Sequence, residues 1–235
     1  TEMMKRGWLE TADIRDAPKI EAGLTKFFGV ATVDQIQIFP HAPKKMDVLG
    51  PTTAAQLAWL YRVREIASEM LVPRYSPRAL ADAVEEMRPL RMAAEASRKV
   101  PRLLADAGVR FVIVETLKAA KIDGVCFWLN DLSPVIGMSL RYDRIDNFWF
   151  VLRHEIEHAL RRHGQGLVMM DAELEGERAG AGPTVSEEER AANGAASEFC
   201  VAQKSLDRFI ARKAPYFPER DLLGFANTLH VHPGL

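Results

Sequence analysis

Residues 146–160 read DNFWFVLRHEIEHAL, and this stretch constrains the chain more than any other. It holds His154, Glu155 and His158 in an HExxH array. Residues four apart on an α-helix lie nearly above one another, so both imidazoles can reach one metal ion while Glu155 reaches a water on it. Phe148, Trp149, Phe150, Val151, Leu152, Ile156, Ala159 and Leu160 surround the array, and such a helix is expected to be buried. Buried imidazoles and a buried carboxylate need partners, and a metal provides them.

Zinc takes neutral imidazole nitrogens at about 2.0–2.1 Å and, in catalytic sites, usually three protein ligands with a fourth position for water. It brings the pKa of that water to roughly 7, where a nearby carboxylate can take the proton as a carbonyl is attacked. Glu155 is the candidate base. His154 and His158 leave one protein ligand to find. The elongated pattern HExxHxxGxxH would need histidine at position 164, which is Gly164, with His163 just before it. The remaining candidates are carboxylates, either Asp171, Glu173, Glu175 and Glu177 or Glu187, Glu188 and Glu189. At about 100° per residue, Glu188 and Glu189 both fall near a stripe of Ala192, Ala195, Ala196, Phe199 and Ala202, whereas Glu187 points away. Periodicity leaves the two open, and a helix dipole alone favours acids in a first turn.

The chain of 235 residues is 48% hydrophobic, enough for one domain or a small domain with an extension. A formal charge of −1 gives no global attraction to nucleic acid or an anionic membrane, so neither is an expected partner. Cys126 and Cys200 are far apart, which argues against a disulfide framework or a cysteine zinc site and fits a reducing cytoplasm. No apolar run of about 18 residues or signal-peptide pattern is present. Thr1 is not an initiator, which leaves room for residues upstream.

Asp16 with Pro18 predicts a helix start, with Ile20, Leu24, Phe27 and Phe28 following and Gly29 as its stop. Pro40, Pro43 and Gly50-Pro51 mark a loop or linker. Thr52 or Thr53 can cap a helix to about Met70, and Ser76-Pro77 opens another to about Glu86. Pro101 divides residues 90–107 or starts their later helix. Residues 110–115, 124–129 and 134–140 are short β-branched and aromatic runs. They predict an α+β fold, mostly helical, with a small antiparallel sheet of about three strands on the HExxH helix. Asp143 or Asp146 is the expected N-cap of that helix. The acidic, glycine-rich stretch from Gly164 to about Pro183 predicts a mobile loop, and Thr184 or Ser186, each with glutamate three residues on, starts the next helix.

The run RIDNFWFVLRHEIEHAL, followed by ERAANGAASEFC and LHVHPG, resembles the ImmA/IrrE family of zinc metallopeptidases over residues 75–235. Residues 1–74 form a helical N-terminal extension in this reading; KRGWLE and KFFGV in it resemble the middle segment of longer HigA-like or XRE-type regulators fused to such a domain. The resemblance implies a gluzincin-like core and places the third ligand four residues before the asparagine of an Ala-Asn pair, which is Glu189 before Asn193. Two departures stand out: Glu157 replaces a common glycine, and Ala195 replaces an aromatic. No helix-turn-helix segment, frequent in the family, is recognisable.

Two functions follow. The resemblance implies a cytoplasmic zinc endopeptidase, with another divalent metal as an option, that cleaves a helix-turn-helix repressor and so derepresses stress-response or mobile-element genes. The alternative is an antitoxin or transcriptional regulator whose peptidase-like domain senses metal, ligand or partner without cleaving. An intact Glu155 favours the first, because binding alone would not need it. A substrate strand adding to a sheet edge is the expected peptide-binding mode, and His163, Tyr142, His230 and His232 are candidate transition-state donors.

Overall fold

Side-chain caps open most of the longer helices where the sequence places them. The computed structural model describes residues 2–10, 13–36, 52–118, 120–165, 169–171 and 186–235. The expected linker around Pro40, Pro43 and Gly50-Pro51 lies outside the described residues, as does most of the acidic stretch, including Glu173, Glu175 and Glu177. A short helix α1 (Glu2–Lys5) precedes α2 (Ala17–Phe28), which starts where the Asp16 carboxylate accepts the Lys19 N–H and stops at left-handed Gly29. Helix α3 (Ala54–Glu69) opens with a reciprocal capping box: Thr53 accepts from the Gln56 N–H and Gln56 accepts from the Thr53 N–H. Ser76 caps α4 (Pro77–Met87). Two 3₁₀ turns, Arg88–Met92 and Ala94–Lys99, lead to α5 (Val100–Asp106), and Pro101 sits in the first turn of that helix, where a missing N–H costs nothing.

Four strands follow the expected runs and add one: β1 (Arg110–Ile113), β2 (Gly124–Trp128), β3 (Pro134–Met138) and β4 (Met169–Asp171). Their order is β1-β3-β2-β4. The α+β class is as expected, but the sheet is mixed. Strands β2 and β3 form an antiparallel hairpin with Val125 opposite Gly137, and β4 adds antiparallel to β2. Strand β1 runs parallel to β3, with Phe111 opposite Ile136. The connection 114–123 is too long for a tight hairpin turn, so the chain skips a position and β3 returns into the gap. Apolar runs of four or five residues carry no signal of direction.

The helix α6 (Ile145–Leu160) covers one face of this sheet, where Trp149, Leu152 and Ile156 share a core with Phe111, Cys126, Ile136 and Met138. On the other face Trp59, Leu60, Val63 and Ala67 of α3 pack with Val112, Val125, Phe127 and Val135. Helices α7 (Glu187–Cys200), α8 (Gln203–Lys213) and α9 (Glu219–Leu229) complete the chain. Among the described residues, no helix is long and apolar enough to cross a membrane.

One hydrogen bond pins α3 to the sheet: the buried Trp59 indole N–H donates to the Val114 carbonyl at 2.8 Å. Trp59→Phe removes that donor and part of the packing. It is expected to cost about 1–3 kcal/mol, measured by equilibrium urea unfolding.

Candidate metal centre

Two helices each bring an i,i+4 pair to the centre. Helix α6 presents His154 and His158, and α7, packed against it, presents Glu189 and Asn193. Buried Ala192 and Ala196 on the facing side of α7 have side chains small enough for close approach. Further along, the Trp149 and Phe199 rings lie 6.0 Å apart and fill the gap between the helices. The expected stripe is thus present, although Ala195 is only half-buried and Ala202 lies beyond the end of α7.

The start of α6 departs from expectation. Neither Asp143 nor Asp146 caps it: Arg144 holds the cap position, and its side chain makes no capping bond. Asp143 lies in the left-handed region at φ 46°, and the Asp146 carboxylate turns back to accept from the Arg144 guanidinium. The far end is held by two anchors, the buried Tyr75 and the half-buried Trp128. Tyr75 donates its hydroxyl to the Ala159 carbonyl at 3.0 Å, and burial pushes the pKa of that phenol up to about 12. Trp128, at the end of β2, donates to the His163 carbonyl at 2.8 Å, while the His163 N–H donates to the His158 carbonyl at 2.9 Å.

His154 and His158 are wholly buried. Their Nε2 atoms lie 3.0 Å apart. The Glu189 carboxylate reaches 3.6 Å from the first and 3.7 Å from the second, and its side chain is 14% exposed. Glu187 and Glu188 are exposed. Ser186 explains the choice, because it caps α7 by accepting the Glu189 N–H at 3.1 Å and leaves the Glu189 side chain to face α6. Thr184, the other expected cap, lies outside the described residues.

The imidazoles are oriented from behind. Asn193 Oδ1 lies 2.9 Å from His154 Nδ1, and since that oxygen can only accept, His154 carries its proton on Nδ1 and presents a lone pair at Nε2. His158 Nδ1 lies 3.0 Å from His163 Nδ1. Burial lowers the His163 pKa, with Glu188 pulling it up and Arg161 adding to the lowering, so this ring is mainly neutral at pH 7 and able to accept from His158. With that tautomer, two nitrogen lone pairs and a carboxylate face one point. A cation satisfies all three. Ligands at 2.0–2.1 Å on a tetrahedral ion stand about 3.3 Å apart, close to the spacings here. His154, His158 and Glu189 can hold a metal ion, their donor atoms all within 4.8 Å of one another.

Glu155 is also wholly buried, and β2 makes its space. A Cβ on Gly124 would stand 2.3 Å from Glu155 Oε1 and 2.8 Å from Val151, so any larger residue there would displace the Glu155 carboxylate. Glu157, facing away, lies between Arg153 and Arg161 at 2.7 and 2.6 Å. Its charge is therefore locally neutralised. Of the other expected donors, the Tyr142 hydroxyl accepts from Arg141 and His232 Nδ1 accepts the Gly234 N–H, while His230 ends α9 in the left-handed region. His163 belongs to the centre, but as a support behind His158. Asn193 was legible only as a marker of register; nothing in the sequence assigned it a bond to His154.

No family model, curated protein or solved structure matches this chain.

Elemental analysis after equilibration with zinc should give about one ion per chain, lost in His154→Ala and in Glu189→Ala. Asn193→Ala and His163→Ala should keep the site but weaken it by about 10–100-fold, read by chelator competition. Glu157 provides a test of pH dependence. Burial raises its pKa, but hydrogen bonds from Arg161 and Arg153 outweigh that and hold it below its ordinary 4.5. A lowered carboxylate pKa contributes stability above the unfolded value and loses it as pH falls through the folded one. Melting temperatures of wild type and Glu157→Gln should therefore differ at pH 7 and converge as the pH falls well below the ordinary carboxylate value of 4.5.

Proposed function

We propose that this chain is a zinc-dependent endopeptidase. The convergence of His154 Nε2, His158 Nε2 and the Glu189 carboxylate beside a buried Glu155 carries the reading. Zinc suits two imidazoles and one carboxylate, and three protein ligands are the complement of a catalytic rather than a structural site. When bound, it supplies a Lewis acid that polarises a peptide carbonyl and acidifies water near neutral pH.

The chain's own residues have separate tasks. His154, His158 and Glu189 hold the ion; Asn193 and His163 fix the two rings. Glu155 takes a proton from water at its carboxylate and returns it to the leaving amide nitrogen. Gly124 keeps that carboxylate in place. Strand β4 lies at the end of the sheet next to β2, and its outer edge is where an extended peptide can add as a further strand.

The likeness to the ImmA/IrrE metallopeptidases supports a helix-turn-helix repressor as substrate and the cytoplasm as the place of action. Glu189, which that likeness selects, is also the acid that faces the imidazoles. A regulator that senses metal without cleaving would share the three ligands but would have no use for the carboxylate of Glu155.

Glu155→Gln separates these functions. The variant should retain its zinc and lose about 10²–10⁴-fold in cleavage of helix-turn-helix repressors from its host, followed by mass spectrometry of new peptide termini. Cleavage at the wild-type rate would refute the peptidase assignment.

A further inference from the structure

Helix α6 spans β2 and β3 but leaves the end of β1 uncovered on the same face. A cavity of about 360 Å³ results, walled by Phe111, Ile113, Leu140 and Phe148 and closed on one side by the segment around Pro101. Its size and apolar walls are those of small-molecule sites, which add a few polar groups that fix orientation. Ser97, Arg98, Asp143, Arg144 and Asn147 are the polar residues of its lining, and of these Asn147 and Arg98 can orient a ligand. Asn147, in the first turn of α6, lines the cavity and is only 5% exposed. Among the described residues its buried carboxamide oxygen has no hydrogen-bond partner, and its amide nitrogen has none either. A buried carboxamide left in that state costs about 1–3 kcal/mol, so it calls for a partner. Arg98 also lines the cavity, is exposed, and forms no ion pair among the described residues. The first turn of α6 has no side-chain cap, which adds a positive end beside Asn147.

We infer that this cavity is a binding site for a small aromatic hydroxycarboxylate. The flat body lies between Phe111 and Phe148. Its hydroxyl, able both to donate and to accept, meets whichever carboxamide atom Asn147 offers. The carboxylate meets Arg98 at the rim. Asn147 stands about two turns before His154 on the same helix, so the site is separate from the metal donors and independent of the peptidase assignment.

The test is calorimetric titration of the full chain with 6-hydroxy-2-naphthoate and with 2-naphthoate, which differ only in the hydroxyl. Both should bind saturably, the hydroxylated compound about tenfold more tightly. Asn147→Leu should bring the two affinities together. Ile113→Trp, at a position 45% exposed, should fill the cavity and abolish binding of both. The inference is overturned by no saturable binding to wild type, by equal wild-type affinities, by a preference that persists in Asn147→Leu, or by binding that persists in Ile113→Trp. If Asn147→Leu does not fold, the wild-type ratio and Ile113→Trp still decide.

Discussion

The close approach of α7 to α6 is the contact on which the candidate metal centre depends. Each helix supplies an i,i+4 pair, and the pairs meet only because the facing positions of α7 are alanine. The result is a buried pocket in which two imidazoles, oriented by bonds to other groups, lie within a few ångströms of a carboxylate. In such a place proton positions are set by the surrounding hydrogen bonds, so Asn193 and His163 decide where the lone pairs point as much as the ligands do.

Local signals were the most legible part of the fold. The caps at Asp16, Thr53, Ser76 and Ser186 depend on one side chain and one nearby N–H, and each stands where the sequence puts it. Strand direction was not legible. It follows from a ten-residue connection and from which edge a hairpin presents, and neither is written in an apolar run of five residues. The start of α6 failed for a local reason: Asp146 had a competing partner in Arg144, two residues away, and an ion pair took the carboxylate that a cap would have used.

At the centre itself, the HExxH spacing conveyed the two imidazoles because helical geometry alone aligns them. The choice between Glu188 and Glu189 needed more, since both lie close in angle to the alanine stripe. The two stand about 100° apart around α7, and the structure leaves Glu188 exposed near His163 and Glu189 turned inward. The role of Gly124 was not visible at all. A glycine opening a strand has many explanations, and only the position of Glu155 from another element shows which one applies.

The layer that α3 contributes has a consequence for how this fold can be divided. A boundary before residue 75 passes between the helix bearing Trp59, Leu60 and Val63 and the sheet those side chains cover. A fragment cut there would keep every residue of the metal centre yet turn Val112, Val125, Phe127 and Val135 towards water, with the Val114 carbonyl deprived of its indole donor. Its back would be an adhesive apolar surface, prone to pair with another copy. The smallest piece able to stand alone therefore includes residues 54–69, and shuffling of the portion that bears the candidate metal centre between proteins has to carry that helix along.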